Sequence, residues 1–229
     1  MSKLIKCPKC NTEYDISATS TCPTPKSNYL WILDNGHGGI IDGEYQTAGK
    51  RSPVWDDGSQ LFEGEFNRAI VNRLVKMCAE EGIECINLVD TQEDISLSKR
   101  TNKANDIHRK RSDKDGKSIY VSIHADAFNK ESANGWSVYT SEGQTKSDII
   151  ARVLLDKSKE EFPDEKMRGH KESNFWVLRK TLMPAILSEN FFMTNYTNCH
   201  NYLLSEEGRD RIAKIHFEMI KEIEENKLV

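Results

Sequence analysis

Three apolar runs in this chain each end on a side chain that can do chemistry, and helical patterns separate them. "LWILDNGH" reaches His37, "SIYVSIHAD" reaches His124, and "PAILSEN" reaches Glu189. Runs that are apolar throughout suit strands buried on both faces. Between them, "EFNRAIVNRLVKMCAEEG" places Phe66, Ile70, Leu74 and Cys78 at helical spacing and stops at Gly82. "SLSKRTNKANDIHRKR" reads as a polar helix with Ser96 at its N-cap. "ECINLV" and "GWSVYT" read as strands, "NFWVLR" as a short strand, and "KSDIIARVLLDKSKEEF" as a helix. A closing helix, "EEGRDRIAKIHFEMIKEIEEN", carries Ile212, Ile215, Met219 and Ile223 on one stripe. Strands alternating with helices predict an α/β fold, one sheet covered by helices on both faces.

In open α/β sheets, ligands bind beyond the carboxyl ends of the strands. Runs ending at His37, His124 and Glu189 would bring those side chains to one edge. Glu63, just before a helix expected to begin around Glu65, would project toward the same edge. Two imidazoles and a carboxylate bind zinc and leave a fourth position for water, whose pKa the metal lowers. On this reading His37, Glu63 and His124 are the ligands. Glu189 is the base that takes the water's proton and returns it to a leaving amine, with no covalent intermediate. Each residue also has a plainer reading. A histidine after a strand can be a hydrogen-bonded loop residue, Glu63 can favour a helix N-terminus, and Glu65 competes with it. Gly36, Gly38 and Gly39 would give His37 the slack to lean toward a shared metal.

The balance of 32 basic against 36 acidic residues, net −4, offers no general reason to expect nucleic-acid binding. No apolar run approaches the roughly 18–20 residues that span a bilayer, so membrane insertion is not expected. The start, "MSKLIKCPKC", lacks the apolar core of a secretory signal. This predicts synthesis in the cytoplasm and, for any action outside, another exit route. Residues 1–28 stand apart as a stub and linker before a main domain over 29–229. "KCPKC" is a CxxC turn that grips zinc with two thiolates. Cys7, Cys10 and Cys22 supply three ligands, but Pro25 stands where a fourth cysteine belongs. The stub is either a zinc ribbon with a borrowed or missing ligand, holding a second, structural zinc, or a remnant without metal.

From Tyr29 onward the chain resembles the zinc-dependent N-acetylmuramoyl-L-alanine amidases, the type-3 catalytic domain of bacterial autolysins and phage endolysins. Five blocks in order carry the resemblance: "ILDNGHGG", "EGEFNRAIVNRL", "SLSKRTNKAN", "VSIHADAF" and "VLRKTLMPAILSENFFMTN". It implies a twisted mixed sheet of about six strands, one zinc held by His37, Glu63 and His124, and a catalytic Glu189. Glu63, four residues before Asn67, takes the ligand position over Glu65. The implied substrate is peptidoglycan, cut between the lactyl group of N-acetylmuramic acid and L-alanine. The chain would then be a phage or prophage lysin or a related wall hydrolase, acting on the wall after release. Asn67, Arg100, Asn105 and Arg179 become candidate substrate contacts, although Arg100 and Asn105 read by themselves as pins of their helix. Arg179 would meet a substrate carboxylate or pair with Glu189, or be an edge-strand surface arginine. His170, in "RGHKESN", reads as a solvated loop histidine.

Three details depart from the family. Asn35 stands where a proline is common, and Asn190 replaces the usual glycine before phenylalanine. The loop "YQTAGKRSPVWDDGSQ" is long and would form a wall of the substrate groove rather than a plain surface loop. Two other functions fit the same residues: a zinc carboxypeptidase or other amidohydrolase acting on wall peptides, and a non-catalytic wall-binding domain of the same fold.

Overall fold

The computed structural model of the protein describes residues 4–6, 13–15, 27–112 and 116–229. Strands β1 (Leu4–Lys6) and β2 (Glu13–Asp15) pair antiparallel. Cys7, Cys10 and Cys22 lie outside the described residues.

Strand β3 (Tyr29–Asn35) shows why the apolar runs are continuous. Tyr29, Trp31 and Leu33 enter one core, and Ile32 enters the other. Successive side chains leave opposite faces of a strand, so a strand covered on both sides has no polar face to spare. Fully burying one such side chain stabilises by about 1.5–3 kcal/mol. Beyond a short hairpin of β4 (Ile40–Ile41) and β5 (Glu44–Tyr45), helix α1 (Glu63–Glu80) leads to β6 (Cys85–Asn87). Helix α2 (Leu97–Ser112) leads to β7 (Lys117–Asp126), followed by β8 (Trp136–Thr140). Helix α3 (Lys146–Glu161) begins with a reciprocal capping box between Thr145 and Asp148. Then come β9 (Met167–Glu172), α4 (Trp176–Arg179), β10 (Ala185–Phe192) and α5 (Tyr196–Asn198). A π-helix (Cys199–Leu204) and α6 (Glu206–Asn226) complete the chain.

The main sheet has six strands in the order β6-β3-β7-β10-β8-β9. The first four run parallel, and β8 pairs antiparallel with β10. The larger core lies under α1, α3 and α6, and the smaller under α2 and α4. Because β3, β7 and β10 are parallel, their carboxyl ends share one edge. No described helix is long and apolar enough to cross a membrane.

Three local expectations change. "NFWVLR" is not a strand: Trp176–Arg179 is one helical turn. Val177 and Leu178 both pack into the smaller core, and consecutive strand residues would have faced opposite ways. His170 lies on strand β9 rather than in a loop. Its strand is polar because an edge strand needs only backbone pairing to β8, and Thr140 Oγ1 lies 2.7 Å from His170 Nε2. Helix α1 starts at Glu63, two residues earlier than expected, which puts that carboxylate in the first turn.

Candidate metal centre and cleft

His124 on β7 sits in register with Glu189 on β10. By strand alternation both side chains leave the sheet on the side of Tyr120 and Leu187, beneath α2 and α4. Glu63 reaches the same edge from the start of α1. Its Oε1 lies 3.0 Å from His124 Nδ1 and 3.2 Å from His37 Nε2. The Ala125 amide also donates to it, at 3.3 Å. The three donor atoms of His37, Glu63 and His124 lie within 4.8 Å of one another. Glu65 does not join them.

This donor set fits a zinc ion. Two imidazoles and one carboxylate converge, and the second oxygen of Glu63 is buried without a hydrogen-bond partner. Burial pushes the Glu63 carboxyl up, but hydrogen bonds and charge from His124 and His37 outweigh it and hold it well below the usual range. Burial pushes His37 below the usual imidazole value, favouring the neutral form that binds metal.

The loop carrying His37 is pinned carbonyl by carbonyl. Arg100 Nη1 donates to the Asn35 carbonyl at 2.6 Å, and Asn67 Nδ2 to that of Gly36 at 3.0 Å. Arg68 and Arg100 both donate to that of His37, at 3.1 and 3.0 Å. His37 is thereby held at φ 66°, the left-handed region that non-glycine residues rarely adopt. The glycines do not act as slack. A Cβ on Gly36 would collide with the His124 ring, and one on Gly64 with the Gly38 carbonyl, so they permit close approach.

The four candidate substrate contacts take distinct places, and Arg100 and Asn105 act as the pins they read as by themselves. Asn67 is fully buried and holds Gly36. Arg100 is 2% exposed and is committed to Asp34, at 2.6 Å, and to backbone carbonyls. Asn105 braces the turn after α4, donating to Lys180 and accepting from Leu182. Arg179 is exposed, stacks over Trp176 at 4.8 Å and does not reach Glu189. Asn67, Arg100 and Asn105 thus hold the scaffold through their side-chain hydrogen bonds, and Arg179 lies beside the cleft wall at Trp176 rather than in the lining.

The cleft itself has a volume of about 670 Å³ and holds His37, Glu63, His124 and Glu189 together. Leu97, Phe175 and Trp176 give it an apolar wall. The long loop is divided. Lys50 lines the cleft, whereas Trp55 packs against Tyr196 and His200. Asp126, also in the lining, escaped the sequence reading, although its period-2 spacing from His124 in "SIHADA" was a usable signal. Phe175 and Trp176 gave no such signal, since a helical turn brings them in. Burial, together with the carboxylates of Glu63 and Asp126, pushes Glu189 well above the usual carboxylate range. Its Oε2 is buried without a partner.

Both departures at asparagine now have physical accounts. Asn35 Nδ2 donates to Asn87 Oδ1 at 2.8 Å and to the Val89 carbonyl at 2.9 Å, tying β3 to the chain around β6. Asn190 Nδ2 donates to the His124 carbonyl at 2.9 Å and to Ser188 Oγ at 3.0 Å, while its Oδ1 accepts from Trp136 Nε1. This spans the irregularity after Glu189, where Phe191 adopts φ 64°. Ser188 in turn donates to Nε2 of the buried His216, whose Nδ1 donates to the Ile212 carbonyl.

Burial pushes His216 down to about 4 from 6.5. A base depressed in the folded state is protonated first in the unfolded chain. Its contribution to stability is therefore whole above pH 6.5 and lost as pH falls toward about 4, at up to ~1.4 kcal/mol per pH unit. Relative to the parent, His216→Gln is expected to flatten the fall of the urea midpoint across that window. Equal slopes in the two proteins would show that folded His216 takes up its proton normally.

A sheet edge that gathers two imidazoles and two carboxylates in one cleft is an arrangement that metal-assisted hydrolases use. The chain belongs to the N-acetylmuramoyl-L-alanine amidase family, whose profile matches residues 32–222. It is 28% identical over 185 residues to the N-acetylmuramoyl-L-alanine amidase CwlM of Bacillus licheniformis, covering 81% of this chain and 64% of that protein. It is 27% identical to the probable cell wall amidase LytH of Staphylococcus epidermidis, covering 78% and 53%. The match thus spans between half and two thirds of these relatives. Among solved structures, an N-acetylmuramoyl-L-alanine amidase from Clostridium difficile 630 superposes with TM-score 0.71 at 26% identity, covering 87% and 98%. The amidase AmiC2 of Nostoc punctiforme gives 0.67 at 25% identity, covering 85% and 96%.

Proposed function

We propose that this chain hydrolyses the amide between the lactyl group of N-acetylmuramic acid and the L-alanine of peptidoglycan. The observation that carries this reading is the convergence of His37, Glu63 and His124 in the cleft that holds Glu189. His37, Glu63 and His124 would hold one zinc ion, which when bound supplies a Lewis acid for the carbonyl and lowers the pKa of water. Glu189 takes the proton of the attacking water and hands it to the departing alanine nitrogen. Pinning of the carbonyls at 35–37 keeps His37 in place without help from substrate.

We also propose the division into residues 1–28 and a catalytic unit over 29–229. Ser27 and Asn28 bond to Glu224, so a truncation that tests the stub should begin at Ser27. A structural zinc on Cys7, Cys10 and Cys22 requires a second metal equivalent that this truncation removes. Retention of the full metal content would argue for a remnant without metal.

The deciding experiment is mass spectrometry of peptidoglycan digested by the zinc-loaded protein. Free stem peptides with an alanine amino terminus are expected. Loss of terminal D-alanine would instead identify a carboxypeptidase, and an unchanged wall that still binds the protein would identify a binding domain.

A further inference from the structure

The cleft holds two basic side chains in its lining, Lys50 and Arg100. Arg100 is consumed internally by Asp34 and by the carbonyls of Asn35, His37 and Ile95. The Lys50 ammonium has neither a hydrogen bond nor an ion pair among the described residues. Its backbone, however, is fixed. The Lys50 carbonyl accepts from the Glu63 amide at 3.0 Å, Arg51 bridges Phe62, and Ser52 donates to Leu61 at 2.9 Å. The Arg51 guanidinium lies over the Phe62 and Tyr45 rings, 5.9 and 6.0 Å from their centroids. The segment bearing Lys50 is therefore laced to the residue that carries the metal-facing carboxylate, while the ammonium remains available.

Away from the metal position, the rest of the charged lining is acidic. Asp94, Asp126 and Glu189 border the cleft beside the apolar wall of Leu97, Phe175 and Trp176. A peptide carboxylate that sits away from the metal position needs a cation there, and among the described basic side chains of the lining Lys50 is the one not already engaged. In a stem peptide the acidic residue after alanine is joined onward through its side chain, which leaves its α-carboxylate free. That group lies within about two residue lengths, roughly 7 Å, of the scissile amide, within reach of a lysine bordering the same cleft.

We propose that Lys50 is the carboxylate-recognising group of the cleft and selects stem peptides whose second residue carries a free α-carboxylate over those in which it is amidated. This rests on the amidase reading. The test uses two synthetic muramoyl dipeptides, N-acetylmuramoyl-L-alanyl-D-glutamate and its isoglutamine counterpart, with the zinc-loaded parent, Lys50→Met and Lys50→Glu. For the parent, kcat/KM is expected to favour the acid about threefold to fivefold, mostly through KM. In Lys50→Met the ratio falls near one, and in Lys50→Glu it inverts. An unchanged ratio in the variants overturns the proposal. A fall in kcat that is equal for both substrates also overturns it, because Lys50 would then act on the catalytic carboxylates instead. If the parent cleaves neither compound nor intact wall, the amidase reading itself fails, before any variant is compared.

Discussion

Glu189→Gln is expected to keep its zinc and lose about 10²–10⁴-fold in kcat, the range that a positioned proton-transfer group supplies. The substitution is nearly isosteric, so packing at the end of β10 is preserved. An amide can neither accept the water's proton nor carry it to the leaving nitrogen. The scaffold around the position is independent of the carboxyl group. Ser188 and Asn190, on either side, are tethered to His216, Trp136 and the His124 carbonyl on the opposite face of the sheet. Metal content by elemental analysis and turnover on wall fragments, measured on the same preparation, check the expectation. Near-normal turnover with zinc bound would remove Glu189 from the mechanism. Loss of zinc alongside activity would show that it holds metal.

The largest effect on stability is expected at Asp34, which sits behind the metal centre rather than in it. Asp34 is 1% exposed and receives Arg100 at 2.6 Å, Tyr120 at 2.7 Å and Ser122 at 2.8 Å. Burial pushes its carboxyl up, but the Arg100 charge and these hydrogen bonds outweigh that and keep it below the usual range. Removing one partner of a buried pair leaves the other charge without compensation, so Asp34→Ala should lose about 3–5 kcal/mol of folding stability. Urea unfolding measures this. The double variant Asp34→Leu with Arg100→Met removes both charges and should recover most of the loss. It should not recover activity, because the carbonyls of Asn35 and His37 lose their Arg100 donors and His37 loses part of what holds it at φ 66°. If the double variant is as active as the parent, Arg100 has no positioning role.

Much of the site could be read from the chain because strand direction is simple physics. Apolar runs that end on or near His37, His124 and Glu189, alternating with helices, could bring those side chains to one sheet edge, and the parallel pairing of β3, β7 and β10 does so. Glu63 was legible only as a helix-start carboxylate, and Glu65 remained its competitor until the first turn of α1 was located. The second layer was less legible. Arg100 and Asn105 could be read as pins of their helix but Asn67 could not, and for none of the three did the chain name the backbone carbonyl it satisfies. Such pairings join residues tens of positions apart, and no local pattern encodes them.

By itself, then, the sequence determined the layered α/β architecture, because period and burial act locally along each element, and it named the candidate groups at the strand ends. Only the tertiary structure decided what each remaining polar residue is for. Packing assigned Arg100 to Asp34, Asn190 to the His124 carbonyl and Arg179 to the face of Trp176. It also left Lys50 unclaimed at the cleft. The physical reason is that a buried donor or charge must be satisfied by whatever lies nearest in space, and the sequence does not state that neighbour.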